Sequence, residues 1–228
     1  MKTVIFDLDG TLADTSGDLL EAANVCFRQM GHGDVLKPAT DAGIALRGGR
    51  MMLQAGLQRL ERFDAAIVDE YYPVLLEAYG ENIARHTTLY PGAMQAVATL
   101  SGLGYGVGIC TNKPEALAEQ LLGELGVRAA FGALVGADTL PVRKPMPDPL
   151  VETVRRLGGD PAKTVLVGDS DTDRNTALAA GVPSILVTFG PSGEDMAALS
   201  PEALLSDYGD LAAVVVSLLG APTKVLET

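Results

Sequence analysis

Two aspartates near the N-terminus stand at a spacing that brings their carboxylates together. Asp7 and Asp9 end an apolar run that begins at Thr3, and Gly10 comes directly after them. In an extended chain, side chains two residues apart point to the same side, and glycine then permits a sharp turn. Two adjacent carboxylates repel, so we expect a divalent cation or a shared proton between them, and Mg²⁺ prefers such oxygen ligands. By itself, the string Asp9–Thr11 is equally typical of a simple turn.

Polar residues that suit an anion follow another apolar run, which ends at Cys110. Thr111 and Asn112 bring a hydroxyl and an amide, and Pro114 opens a predicted helix whose N-terminal N–H groups attract anions. The pattern predicts a cradle for a phosphate or a similar anion. A simple helix cap by the threonine or the asparagine is also compatible with these residues.

A lysine lies in a proline-rich loop farther along the chain. Lys144 is followed by prolines at positions 145, 147 and 149. Because proline restricts the backbone, this loop is expected to hold the lysine in one place, where its ammonium binds phosphate as a point charge. Taken alone, such a stretch is more often a solvated loop.

A string of acidic residues ends a further apolar run and begins a helix. It contains Asp169, Asp171 and Asp173, and we expect one or two of them to bind a metal ion. A calcium loop is rejected, since Arg174 stands where that loop requires glycine and Ala180 where it requires glutamate. Asp171 is better explained as a favourable charge at the start of a helix.

Short apolar runs place these four groups at one edge of a sheet. Each run ends in Asp, Thr or Gly, as buried parallel strands do, and segments with helical apolar spacing separate the runs. The alternation predicts an α/β fold with a doubly wound, mostly parallel, Rossmann-like sheet that binds ligands at its carboxyl edge. The predicted strands are Thr3–Leu8, Tyr105–Cys110, Ala133–Val135, Thr164–Val167 and Ser184–Thr188.

One interval breaks this alternation. From about residue 15 to residue 88 the sequence shows helical stripes, such as Leu19, Ala23 and Phe27, without a strand-like run. We therefore expect an inserted α-helical domain at 15–88 and an α/β core formed by 1–14 and 89–228.

Composition narrows the classes of function. The 228 residues carry a formal net charge of −12, which argues against nucleic acid and anionic membranes as partners, because such binding depends on basic patches. Cys26 and Cys110 lack the spacing of a metal or disulfide motif, and a cytoplasmic protein is expected. The apolar stretch Leu211–Leu219 is too short to span a membrane and predicts a packed helix.

The strings DLDGTLADT, TNK, KPMPDP and GDSDTD together resemble the four motifs of the haloacid dehalogenase superfamily of phosphatases. Within it, the whole chain is most similar to phosphoglycolate phosphatases with a helical cap. The resemblance implies that Asp7 is the nucleophile and Asp9 the general acid and base. It also implies that Thr111, Asn112 and Lys144 hold the phosphoryl oxygens.

The resemblance further implies a Mg²⁺ cofactor. Its ligands would be the side chains of Asp7 and Asp169 and the carbonyl of Asp9, with Asp173 in support. The implied reaction is the hydrolysis of a small-molecule phosphate ester, 2-phosphoglycolate, to glycolate and phosphate through an aspartyl-phosphate intermediate. A monomer or a homodimer is expected.

Substrate choice is expected to come from the helical insert, which closes over the site in this superfamily. Arg47 lies in the string Arg47–Arg50, and its planar guanidinium suits a substrate carboxylate. It is equally compatible with a solvated position or with pairing to the protein's own acids.

Other functions remain open on the sequence alone. They are a phosphatase for a sugar phosphate or another small molecule, a phosphosugar mutase of the same fold, and a non-catalytic protein on this scaffold. A dehalogenase is disfavoured, because a halide leaves without protonation and those relatives lack the acid that Asp9 supplies.

Overall fold

The chain forms two compact units. The computed structural model describes residues 1–191 and 193–222. The first unit contains Met1–Leu12 and the chain from Leu89 onward, and the second contains Ala13–Thr88. Ala13 and Asp14, which the sequence analysis assigns to the core, therefore fall in the second unit.

A parallel sheet forms the centre of the first unit. Six strands lie in the order β5-β4-β1-β6-β7-β8, and β2 pairs separately with β3. All neighbours in the larger sheet are parallel, which confirms the doubly wound α/β fold. The strands of the described residues are β1 (Thr3–Phe6), β2 (Ala13–Asp14), β3 (Thr88–Leu89), β4 (Gly106–Cys110), β5 (Ala133–Val135), β6 (Thr164–Gly168), β7 (Ser184–Val187) and β8 (Ala203–Leu205).

The strand β8 has no counterpart among the predicted runs. It is three residues long, and of these only Leu205 is buried. A strand so short and so exposed carries no clear periodicity, so the sequence pattern misses it. Its pairing with β7 nevertheless extends the sheet by one strand.

Helices separate the strands. Within the described residues no helix is both long enough and apolar enough to cross a membrane. The last helix coincides with the predicted apolar stretch. The helices are α1 (Ser16–Gln29), α2 (Pro38–Ala45), α3 (Gly49–Arg59), α4 (Ala65–Glu81), α5 (Ala93–Leu103), α6 (Glu115–Glu124), α7 (Asp148–Arg156), α8 (Asp171–Ala180) and α9 (Leu211–Leu219).

The central strands of the sheet are fully buried. Every residue of β1, β6 and β7 is buried, as the continuous hydrophobic runs of parallel strands require. One cluster joins Ile5, Cys110 and Leu166 from three strands with Leu150 and Val154 of α7. Full burial of one such aliphatic side chain contributes about 1.5–3 kcal/mol to the stability of the fold, so this cluster helps to fix the positions of the strand ends.

The second unit is built from α1 to α4. Phe27 of α1 lies against Gly56 of α3, where an added Cβ would stand 2.1 Å from the ring. Only glycine therefore permits this close approach of the two helices. At the other end of α1, the buried Asp18 accepts hydrogen bonds of 2.9 Å from the N–H groups of His86 and Thr87, and so joins the end of the insert to its beginning.

A buried carboxylate joins two helices of the second unit. Asp41 of α2 is fully buried and accepts a hydrogen bond of 2.7 Å from the Lys37 N–H at the start of the same helix. Arg59 at the end of α3 binds both of its oxygens. The Arg59 hydrogen bonds hold the pKa of Asp41 at about 2, below its usual value of 3.8. The carboxylate thus stabilises the folded unit in its charged form.

We expect Asp41→Asn to lower the free energy of unfolding by about 1–3 kcal/mol at neutral pH, because the Arg59 guanidinium loses its charged partner. The pKa of Asp41 is lower in the folded chain, so its contribution is complete above pH 3.8 and is lost as the pH falls toward 2. Denaturant unfolding of the parent protein and of the variant, at neutral pH and between pH 3.8 and 2, measures the difference in the free energy of unfolding.

The control is Asp69→Asn, which breaks an exposed ion pair with Arg50 in the same unit. It should cost less than about 1 kcal/mol. Equal losses from the two variants would show that the buried pair has no special part in stability.

Candidate active site

The polar residues predicted from the four motifs meet at the carboxyl edge of the parallel sheet. Asp7 follows β1, Thr111 follows β4, Lys144 lies in the loop after β5, and Asp169 follows β6. Since β1 pairs with both β4 and β6, Asp7 stands between Thr111, which follows β4, and Asp169, which follows β6. The first unit alone brings these side chains together.

Asp7 is held from three directions. Its N–H continues the sheet by donating to the Val167 carbonyl at 2.9 Å, and its Oδ1 accepts from the Leu8 N–H at 2.7 Å. Its Oδ2 lies 3.0 Å from Lys144 Nζ. Burial raises the pKa of Asp7 to about 6, and the nearby Asp173 and Asp9 act in the same direction. The carboxylate is fixed in place and is strongly affected by the charges around it.

Lys144 is the cation of this group. Its side chain is 1% exposed, and its Nζ lies 2.7 Å from Asp173 Oδ1 as well as close to Asp7. Burial lowers the pKa of a lysine, but Asp173 and Asp7 outweigh burial and raise the pKa of Lys144 above its usual value. The ammonium therefore stays charged throughout the physiological range.

Asn112 supports the loop that carries this lysine. Its side-chain amide donates to the Lys144 carbonyl at 3.1 Å, although the residue itself is exposed. The neighbouring Thr111 is buried, and its hydroxyl oxygen accepts from the Lys113 N–H at 3.2 Å. That bond uses the hydroxyl as an acceptor only, and so its proton is directed elsewhere. Asn112 thus lies beside Lys144, and the contacts of both residues with a phosphoryl group stay predictions.

Three carboxylates form a cluster that suits a metal ion. Ligand oxygens of Asp7, Asp169 and Asp173 lie within 4.8 Å of one another. Burial raises the pKa of Asp169 well above its usual value, with Asp173 and Asp7 adding to the effect, while a hydrogen bond of 2.7 Å from the Thr11 hydroxyl opposes it. Repelling carboxylates of this kind are stabilised by a hard cation such as Mg²⁺.

Asp173 differs from the other two acids because its oxygens already have partners. Oδ1 is bound to Lys144, and Oδ2 accepts from the Ser170 hydroxyl at 2.6 Å and from the Asp169 N–H at 3.2 Å. Through these bonds Asp173 positions both the cation and the loop of Asp169. This arrangement fits a supporting part in metal binding.

Asp9 is bound by a lysine that the sequence analysis left without a role. Lys113 Nζ lies 2.9 Å and 3.1 Å from the two oxygens of Asp9, and its side chain is only 3% exposed. A buried lysine almost always has a partner. The sequence places Lys113 next to the predicted anion cradle, but nothing in it shows the burial or names Asp9 as the partner.

A tyrosine near the C-terminus also supports the site without having been predicted. The Tyr208 hydroxyl donates to the Thr11 carbonyl at 2.6 Å, in the turn that follows Asp9. Its ring packs against Phe189, which in turn packs against Tyr90, with centroid distances of 5.3 Å and 4.8 Å. The Thr11 hydroxyl also donates to Asp169. This aromatic group therefore stabilises the turn that links Asp9 to Asp169.

The remaining predicted residue, Arg47, lies in the second unit. It is exposed in the turn between α2 and α3, and its contact with a substrate stays a prediction. Arg50 nearby is engaged within its own unit, since it pairs with Asp69 at 2.5 Å and lies 4.6 Å over the Tyr72 ring. Of the two arginines, Arg50 thus contacts the protein's own acid.

Comparisons with known proteins identify the family of the chain. A family model described as haloacid dehalogenase-like hydrolase matches residues 1–181. A phosphoglycolate phosphatase of Mesorhizobium japonicum is 38% identical over 212 residues, which cover 91% of this chain and 92% of that protein. One of Rhodospirillum rubrum is 36% identical over 218 residues, covering 92% and 89%. A crystal structure of a predicted phosphoglycolate phosphatase from Haemophilus somnus aligns with a TM-score of 0.82 at 24% identity, covering 94% of this chain and 97% of that one.

Together with these relatives, the Rossmann-like sheet with aspartates and lysines at its carboxyl edge identifies the chain as a phosphatase. The chain belongs to the haloacid dehalogenase-like hydrolase family, as its four motifs predict.

We expect Gly168→Ala to weaken the binding of a divalent cation. A Cβ at position 168 would lie 2.3 Å from the Asp173 carboxyl carbon, so it would displace a carboxylate that holds both Lys144 and Asp169. Changes in such supporting residues typically cost about 10–100-fold in metal affinity or activity. Calorimetric titration with Mg²⁺ measures the change.

Gly123→Ala in α6 is the matched control, since a Cβ there would meet no atom within 4 Å. It should bind Mg²⁺ like the parent protein. The same affinity in both variants would mean that the position of Asp173 does not matter for the cation.

Proposed function

We propose that this phosphatase hydrolyses 2-phosphoglycolate to glycolate and phosphate, with Mg²⁺ as cofactor and with a phosphorylated Asp7 as intermediate. The observation that carries the mechanism is the position of the Asp7 carboxylate, 3.0 Å from the Lys144 ammonium and next to Asp169. The substrate is supported by the names of the Mesorhizobium and Rhodospirillum relatives, whose similarity extends over nearly the whole chain.

The oxygen donors of the site fit Mg²⁺. The side chains of Asp7 and Asp169 and the carbonyl of Asp9 would hold it, and Asp173 would keep the loop of Asp169 in place. When bound there, the ion neutralises negative charge on the phosphoryl group during its transfer.

In the first half of the reaction Asp7 acts as the nucleophile. A carboxylate oxygen of Asp7 attacks phosphorus, the bond from phosphorus to the ester oxygen breaks, and its electron pair stays on that oxygen. Asp9, in its protonated form, gives its proton to the leaving oxygen, so glycolate departs as the alcohol. Lys144 offsets the repulsion between the attacking carboxylate and the anionic phosphoryl group.

The phosphoryl oxygens are bound by side chains that surround Asp7. Thr111 donates the hydroxyl proton that its bond with the Lys113 N–H leaves available, and Lys144 provides a fixed positive charge. Asn112 binds one oxygen with its amide and, through its bond to the Lys144 carbonyl, keeps the lysine loop nearby. These three residues orient the phosphorus for attack.

In the second half of the reaction water removes the phosphoryl group from Asp7. Asp9, now a carboxylate, accepts a proton from water as the water oxygen attacks phosphorus. The bond from phosphorus to the Asp7 oxygen breaks, inorganic phosphate leaves, and both aspartates return to their starting forms. Splitting hydrolysis in this way replaces one difficult step with two easier ones.

The two units divide the work. We propose that the first is the catalytic core and that the second is a cap that selects the substrate. Arg47 of the cap pairs with the substrate carboxylate through its planar guanidinium.

We expect Mg²⁺-dependent phosphate release, with the highest kcat/KM for 2-phosphoglycolate. The assay compares it with sugar phosphates, nucleotides, pyrophosphate and an aryl phosphate, each with Mg²⁺ and with excess chelator. Preference for another ester would keep the mechanism and reject the substrate. Phosphate movement between sugar carbons, with little release, would identify a mutase and contradict the proposal.

Asp7→Asn should lower kcat on the order of 10⁴-fold or more, since it removes the nucleophile. Asp171→Asn is the control, because Asp171 is an exposed acid in the same string whose carboxylate bonds only to the Thr172 N–H among the described contacts. Turnover by the Asp7 variant at the parent rate would rule out the phosphorylated intermediate.

Replacing Arg47 with methionine should raise KM for 2-phosphoglycolate about 10–100-fold, the usual cost of one charged hydrogen bond. KM for phenyl phosphate, which has no carboxylate, should stay the same. Arg50→Met is the control, since Arg50 is already paired with Asp69. If both substrates respond equally to the Arg47 variant, the arginine does not recognise the carboxylate.

A further inference from the structure

Lys113 and Asp9 form an ion pair in addition to the one between Lys144 and Asp7. Lys113 Nζ contacts both Asp9 oxygens, at 2.9 Å and 3.1 Å. The lysine side chain is 3% exposed and that of Asp9 is 15% exposed. The contact is therefore a direct ion pair that is largely shielded from solvent.

The backbone that carries Lys113 is held on both sides. Its N–H donates to the Thr111 hydroxyl at 3.2 Å, and its carbonyl accepts from the Ala137 N–H at 2.9 Å. The loop of Ala137 fits closely here, because a Cβ at Gly136 would stand 2.5 Å from the Glu115 backbone. The ammonium therefore extends toward Asp9 from a fixed base.

Two lysines contact three of the four acids at this edge of the sheet. Lys144 contacts Asp7 and Asp173. Among the described residues, the group of three carboxylates within 4.8 Å of one another includes these two and Asp169 but not Asp9. The Asp9 carboxylate is instead bound by Lys113. Each lysine thus holds its own acid or acids.

We infer that Lys113 is a positioning residue that keeps the Asp9 carboxyl group apart from the metal-binding oxygens and directed at the leaving oxygen of the substrate. The inference rests on the proposed function, in which Asp9 is the general acid. Without Lys113, the Asp9 carboxylate would lose its bidentate partner, and the cation held by its neighbours would attract it. A carboxylate captured in this way is badly placed for proton transfer.

This role predicts a dependence on the leaving group. When the ester bond of 2-phosphoglycolate breaks, the electron pair stays on an alkoxide oxygen, which needs the proton of Asp9. The phenolate released from 4-nitrophenyl phosphate is stable without a proton. Loss of correct positioning should therefore slow phosphoryl transfer to Asp7 from the first substrate far more than from the second, whereas loss of phosphate binding would slow transfer from both.

The test compares Lys113→Met with the parent enzyme on both substrates in saturating Mg²⁺. We expect kcat/KM for 2-phosphoglycolate, which reports the steps up to the departure of glycolate, to fall about 100-fold or more, the usual contribution of general acid catalysis. The fall for 4-nitrophenyl phosphate should be less than about tenfold. Adding Lys113→Met to Asp9→Asn should have little further effect on the ratio of the two rates.

Lys163→Met is the matched control, since Lys163 is 61% exposed in the same unit and pairs with Asp160 at 3.4 Å. If Lys113→Met does not fold, the same ratio of rates is measured on Lys113→Gln, which keeps a neutral hydrogen-bond donor. Equal falls in kcat/KM on both substrates, or no fall, would each overturn the inference. Failure of the parent enzyme to hydrolyse either ester would instead reject the proposed function.

Discussion

The buried ammonium of Lys144 is the interaction on which the rest of the site depends. Ligand oxygens of Asp7, Asp169 and Asp173 lie within 4.8 Å of one another, and burial raises the pKa of Asp7 and of Asp169. Lys144 contacts two of them, and loss of one partner of such a buried pair costs about 3–5 kcal/mol. The lysine therefore makes it feasible for the fold to assemble these acids at all. It also provides a fixed positive charge for phosphate in a chain whose net charge is −12.

The parallel sheet explains why these residues meet. Side chains that follow neighbouring parallel strands lie at the same edge, and β1 has β4 on one side and β6 on the other. Asp7 thereby stands between Thr111 and Asp169, although more than half of the chain's length separates Asp7 from Asp169 along the sequence. The buried strands below them are too well packed to shift independently, so the relative positions of the strand ends are fixed by the core.

Residues without a direct part in the proposed chemistry set the detailed geometry. Asp173 joins Lys144 to the loop of Asp169, and Gly168 leaves room for its carboxyl group. Tyr208, from another part of the chain, donates to the Thr11 carbonyl and stabilises the turn after Asp9, and the Thr11 hydroxyl joins that turn to Asp169. The site is thus a network in which each reactive carboxylate has at least one neighbour that restricts its movement.

The sequence by itself determined the fold class, five of the six strands of the main sheet, and the residues at their carboxyl ends. It could do so because apolar periodicity and the two-residue spacing of Asp7 and Asp9 reflect geometry within a single strand. The short strand β8 lacked that local signal. The tertiary structure alone decided that Lys113 binds Asp9, 104 residues away, and that Tyr208 binds Thr11, 197 residues away. Such contacts depend on the order of strands in the sheet and on which charges are buried together, and neither is expressed in the spacing of neighbouring residues.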